Sequence, residues 1–146
     1  MEDLSIDFEE EPDKQDLDSF SQILRQYNEA QVGPSGYKHL TIFIRNEAGA
    51  VVGGLTGATY WGWLYVDKLA VADSLRNRGL GKRLLENAEQ TAIKRGCKFA
   101  YLDTFAFQAL PFYEKLGYTI FGVLENFPEG KKRYFLQKKL DIGDTT

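Results

Sequence analysis

Leu69-Ala70-Val71-Ala72-Asp73-Ser74-Leu75-Arg76-Asn77-Arg78-Gly79-Leu80-Gly81-Lys82 carries the chain from a strand into a helix, with two glycines and three cations where they meet. Ahead of it Trp63–Val71 reads as a strand. Behind it Leu80, Leu84, Leu85, Ala88 and Ala92 mark one face of a helix that stops near Gly96. The first amides of a helix have no internal partner and sit at the positive end of its dipole, so the junction is an anion site in outline. Taken alone, the same residues would equally serve a tight turn with exposed cations. Two phosphate loops are excluded by spacing. A Walker loop needs Ser or Thr after Gly-Lys, where this chain has Arg83, and a glycine five positions before Gly81, where it has Arg76. A dinucleotide fingerprint needs a small residue at position 84, which is Leu84, and belongs in an early βαβ unit.

Upstream, Asn46-Glu47-Ala48-Gly49 is a turn that pairs Leu40–Arg45 with Ala50–Thr59 as a hairpin. The uncharged run from Ala48 to Val66 is long enough for a membrane span, but its five glycines among Thr and aromatic residues fit two strands better. Leu17, Phe20, Ile23, Leu24 and Tyr27 recur at helical spacing and predict an amphipathic helix over 16–30, behind a short strand near Leu4–Glu9 and ahead of a loop at Gly33-Pro34-Ser35-Gly36. Downstream come a buried strand (Phe99–Thr104), a short helix (Gln108–Leu116) stopped by Gly117, and two strands, Thr119–Leu124 and Arg133–Lys138. The order, roughly β-α-β-β-β-α-β-α-β-β, describes a mixed α/β (α+β) fold, a mixed sheet with helices on its faces.

The 146 residues suit one domain, and 43% hydrophobic, 14% aromatic and 27% charged content is that of a chain that folds. One cysteine (Cys97) and one histidine (His39) rule out an internal disulfide framework and four-ligand Cys/His zinc sites by counting, so no metal is expected. The acidic start Met1-Glu2-Asp3 lacks the layout of a signal peptide, which with a single thiol predicts a cytoplasmic protein. Residues 1–18 hold nine acids against Lys14. The remainder holds seventeen basic and twelve acidic residues, a net charge of +5. That balance argues against general nucleic-acid binding; the acidic edge is a solvated face or an attractor of a cationic substrate.

A second block, Ala109-Leu110-Pro111-Phe112-Tyr113-Glu114-Lys115-Leu116-Gly117-Tyr118, lies at a suggestive distance from the first. Together they resemble the GNAT superfamily of N-acetyltransferases: Arg76-x-x-Gly79-x-Gly81 after Leu69-Ala70-Val71 is similar to its acyl-coenzyme-A signature, and the second block to its Phe-Tyr-Glu-Lys-x-Gly-aromatic element. The resemblance implies one N-acetyltransferase domain over 1–146, a mostly antiparallel sheet flanked by helices, and strands splayed at the coenzyme-A site. It implies acetyl-CoA as cosubstrate, with the diphosphate on the backbone amides of Arg76, Asn77, Arg78, Gly79, Leu80, Gly81 and Lys82. The pantetheine arm would lie along Leu69, Ala70 and Val71 as an added strand. Where the family often has an asparagine on the pantetheine, seven before the motif tyrosine, this chain has Ala106; Gln108 is the candidate replacement.

Acetyl transfer needs a neutral amine, a polarised carbonyl and an acid for the departing thiolate. The resemblance places Tyr113 beside the sulfur as that acid; otherwise it is helix-face core. For the base, strand alternation puts Tyr65, Asp67, Leu69 and Val71 on one face, with Asp67 as the best carboxylate and Asp103 and Glu125 behind it. A salt bridge is the competing use of Asp67, and an ordered water the competing base. Cys97, opening a buried strand with no histidine nearby, is a poor acyl carrier, and His39 reads as structural or exposed. Phe105 and Phe107 line an acyl or acceptor pocket or else the core. Tyr27, Tyr37, Tyr60, Trp61 and Trp63 make an aromatic wall for a cationic amine or a homodimer surface. The leading expectation is acetylation of a primary amine on a small molecule, with no membrane or nucleic-acid partner. Protein N-termini or lysines, and a non-catalytic coenzyme-A-binding module, are the alternatives.

Overall fold

The computed structural model describes residues 2–140, and the chain divides into two units, residues 1–35 and 36–146. In the first unit, residues 2–13 form no helix or strand. The strand expected near Leu4–Glu9 is not formed. Leu4, Ile6 and Phe8 alternate as a strand would, but they are exposed, and a lone strand has no ladder to satisfy its amides. Helix α1 runs Lys14–Val32, a turn wider than its apolar spacing predicts; Gly33 ends it at φ +87°, and none of its residues is buried.

The second unit is one six-stranded sheet: β1 (Lys38–Arg45), β2 (Val51–Tyr60), β3 (Trp63–Val71), β4 (Phe99–Phe105), β5 (Thr119–Glu125) and β6 (Lys132–Lys139), in the order β1-β2-β3-β4-β6-β5. Every neighbouring pair is antiparallel except β3–β4. A parallel pair needs a crossover, and α2 (Leu80–Lys94) provides it. The periodicity of α2 is explained by what it buries: Leu84, Leu85, Ala88 and Ala92 share one core with Leu55, Leu64, Val66, Ala100, Leu102 and Leu136 of the sheet. The short helix α3 (Leu110–Lys115) adds Tyr113 to the same core. Each buried leucine contributes on the order of 2 kcal/mol, so the sheet face under the helices is the stable one.

One charged group enters that core. Glu89 of α2 accepts the Tyr118 hydroxyl at 2.7 Å and the Lys138 ammonium at 3.0 Å, tying the helix to β6. Burial and the Glu89 charge push the Tyr118 phenol well above its ordinary range. Among the described residues no helix is long and apolar enough to cross a membrane.

Candidate active site

The sheet opens in its middle. β3 and β4 pair only from Trp63–Phe99 to Val66–Leu102. Past that point β3 continues to Val71 on β2, while β4 continues to Phe105 on β6. Asp67 to Val71 therefore have, among the described residues, no strand on their β4 side. A backbone edge left open in this way presents the groups that an amide-bearing chain needs for pairing.

A bulge at Asp67 sets which side chains face where. Gly57 pairs with Val66 and Thr56 with Lys68, so Asp67 is the extra residue of β3. Gly57 is required there, because a Cβ at that position would lie 2.0 Å from the Tyr65 carbonyl oxygen. The bulge corrects the expected alternation. Leu64 and Val66 are core, and Leu69 and Val71 also pack against that core, although the count from Tyr65 predicts the opposite. Tyr65 and Asp67 stay together on the other face, where the Tyr65 hydroxyl donates to Asp67 Oδ1 at 3.2 Å.

From Val71 the chain enters the turn singled out by sequence. A short 3₁₀ turn (Asp73–Leu75) leads to Asn77 and Gly79, both left-handed at φ +64° and +73°. The first α-helical bond, from Arg83 N to Gly79 O, leaves the amides of Leu80, Gly81 and Lys82 without helical acceptors. No side chain caps the helix and no acid stands in its first turn. Its cations are exposed: Arg76 pairs with Asp73 at 3.0 Å and Lys82 with Glu86 at 3.8 Å. Gly81 has a packing role, since a Cβ there would sit 3.3 Å from Phe112 and 3.7 Å from Leu69. That close approach sets α3 against the first turn of α2 and the free arm of β3.

Tyr113 is 7% exposed and lies edge-on to Phe112 and Tyr118. Burial pushes its phenol up, and the charge of Asp103 on β4 pushes it further the same way. Gln108 spends its carboxamide oxygen on its own turn, accepting the Phe105 amide at 2.9 Å. Its amide nitrogen is the part that could reach a ligand.

On the sheet face opposite α2, Tyr65 stacks on Tyr101 at 4.9 Å and Trp63 on Phe99 at 4.8 Å. Tyr101 and Tyr60 share a hydrogen bond between their hydroxyls, and Tyr37 follows Tyr60 at 5.7 Å. Of the expected aromatic wall, Tyr37, Tyr60, Trp61 and Trp63 lie in this unit and Tyr27 belongs to the other. Asp67 Oδ2 takes the Lys68 ammonium at 3.1 Å. Asp103 binds Arg133 at 2.7 Å, and that guanidinium lies over Phe105, Phe127 and Phe135 at 4.8–5.2 Å. Sequence reasoning missed Tyr101 and Arg133, which enter through strand register, and Lys68, the chain neighbour of Asp67. Glu125 sits away on the β5–β6 hairpin opposite Lys132, and the buried Cys97 thiol is pushed up by burial, unsuited to a nucleophile.

The model of the acetyltransferase (GNAT) family matches residues 1–118, a span that includes the open strand edge, the uncapped helix and Tyr113. The chain belongs to the GNAT family. As a GNAT acetyltransferase it is 43% identical over 113 residues to an acetyltransferase of Agrobacterium fabrum, covering 77% of this chain and 82% of that protein. It is 39% identical over 95 residues to the blasticidin-S acetyltransferase of Streptomyces morookaense, covering 64% and 70%. An acetyltransferase structure from Agrobacterium tumefaciens superposes with a TM-score of 0.87 at 38% identity, over 93% of this chain and 99% of that one. The six-stranded, mostly antiparallel sheet flanked by helices is thus the GNAT fold, and the chain is an acyltransferase.

Proposed function

We propose that this GNAT acetyltransferase moves the acetyl group of acetyl-CoA onto a primary amine of a small cationic molecule, by direct attack in a ternary complex. The observation that carries the reading is the continuous segment Asp67–Lys82, an open strand edge followed by three unpaired helix amides. The donor set suits coenzyme A. The open edge at Leu69, Ala70 and Val71 matches the amides of pantetheine, and the amides of the Arg76–Lys82 turn match a diphosphate. Arg76, Arg78 and Lys82 add charge from solvent, and the Gln108 amide nitrogen supplements the grip. Bound acetyl-CoA supplies an acyl thioester.

The chain's own residues do the rest. Tyr113 holds the proton that the departing sulfur takes, a phenol being protonated at neutral pH. Asp67 takes the proton that the acceptor nitrogen sheds as it bonds. The aromatic face from Tyr37 to Tyr65 receives the organic cation. The blasticidin-S relative supports a small, cationic acceptor. We read residues 1–146 as one acetyltransferase domain, since the family match crosses both units, and place it in the cytoplasm.

The test is thiol release from acetyl-CoA with blasticidin S, spermidine, an amino sugar and a peptide N-terminus, beside calorimetry with coenzyme A. Turnover on a small amine with coenzyme binding is expected. Turnover on the peptide alone would reassign the acceptor; binding without turnover on any amine would make the protein a coenzyme-binding module.

A further inference from the structure

Each carboxylate oxygen of Asp67 carries one side-chain partner in this structure. Oδ1 accepts the Tyr65 hydroxyl and Oδ2 the Lys68 ammonium. Lys68 is a solvent-exposed chain neighbour, whereas Tyr65 is a neutral donor through which a proton can pass to the carboxylate. Three further observations favour the phenol. The bulge at Asp67 keeps both side chains on one face while Leu69 and Val71 turn to the other. Tyr65 is one residue short of the last β3–β4 pair, at the mouth of the opening. Its ring is fixed by stacking on Tyr101, which is itself held by Tyr60.

We propose that Tyr65 is the residue that touches the acceptor amine and relays its proton to Asp67, an assignment that rests on the acetyl-transfer reading above. As the acceptor nitrogen bonds to the thioester carbonyl carbon it becomes acidic. Its proton passes to Tyr65 Oη while the Tyr65 hydroxyl proton passes to Asp67 Oδ1. The carbon–sulfur bond breaks and the sulfur takes the Tyr113 proton. The proton left on Asp67 returns through water to the Tyr113 phenolate, so the enzyme ends as it began and the products are an amide and a thiol. Tyr65 works as a neutral phenol throughout; burial and the neighbouring Asp67 hold its pKa above the ordinary tyrosine value.

The experiment compares wild type, Tyr65→Phe, Asp67→Asn and the double variant with blasticidin S and with spermidine, recording kcat, the acetyl-CoA KM and the ultraviolet titration of tyrosine. Tyr65→Phe keeps the ring stack, so the fold is retained. Each single variant is expected to lose about 100-fold in kcat, and the double variant no more than either. The acetyl-CoA KM should stay within about twofold of wild type, the coenzyme grip lying elsewhere. Asp67→Asn should bring one tyrosine's ionisation to lower pH, a transition absent from the double variant. A slow Asp67→Asn beside a normal Tyr65→Phe overturns the relay and leaves Asp67 as a direct base. Losses that multiply in the double variant overturn the coupling. No turnover by the wild-type protein on any of the four amines named above overturns the acetyl-transfer reading and takes the relay with it.

Discussion

Gly57 gives the strictest test of how the site is built. Replacing it by alanine places a Cβ 2.0 Å from the Tyr65 carbonyl oxygen and 3.1 Å from its carbonyl carbon. Ordinary contacts need about 3.5 Å, so β2 and β3 must part by more than about 1 Å, and the obstacle is backbone, which cannot rotate away. Overpacking of this kind costs about 3 kcal/mol, and a chain of this size loses roughly 2–4 °C per kcal/mol, so the melting temperature should fall by about 6–12 °C. The displaced segment carries Tyr65 and Asp67, and a shift of about 1 Å at reacting groups costs on the order of 100-fold in rate. Calorimetric melting and steady-state kinetics are run beside Gly54→Ala, whose Cβ would meet the Ile42 carbonyl oxygen at 2.7 Å, in the β1–β2 pair. The control should lose stability and keep kcat within about twofold. A Gly57→Ala protein that melts within about 1 °C of wild type with normal kcat would show that the bulge yields freely and that the argument from close approach is wrong.

Tyr113→Phe should lower kcat by about 10–100-fold with coenzyme A affinity unchanged by calorimetry, because the phenol loses only its proton. Tyr101, Tyr113 and Tyr118 all have folded pKa values raised above the ordinary tyrosine value. Their protonated forms thus favour the fold, a contribution fully present below about pH 10 and lost as pH rises beyond it. Melting temperature should hold from pH 7 to about 9.5 and then fall; a fall beginning near pH 8 would contradict this. Arg78→Ala and Lys82→Ala, both exposed, should each weaken coenzyme A by only about two- to fivefold at low salt and less at high salt, since main-chain amides do most of the holding.

Much of the fold is legible because its elements bury one face at a regular period. Trp63–Val71 has the bounds read from sequence, and Leu84, Leu85, Ala88 and Ala92 of α2 lie where their spacing puts them. The strand at Leu4–Glu9 shows the limit of that signal: alternation describes a face but names no partner. The coenzyme turn is readable because its chemistry is contiguous. The acceptor face is not, being assembled from β2, β3, β4 and β6 through register; Arg133 reaches Asp103 diagonally, Asp103 pairing with Phe135 and Arg133 with Phe105. The parity switch at Asp67 had one clue, a glycine inside β2 where a strand prefers a side chain, and glycine there often marks a bulge.

The gap between β3 and β4 bears on how such an enzyme can change over time. A contact made by peptide groups places little demand on the letters of the code. Ala70, exposed on that edge, should accept many substitutions while the carrier is still captured. The neighbouring aromatic surface can then be rewritten for a new acceptor without renegotiating the cosubstrate, and the fixed costs fall on a few positions such as Gly57 and Gly81, where space rather than chemistry decides.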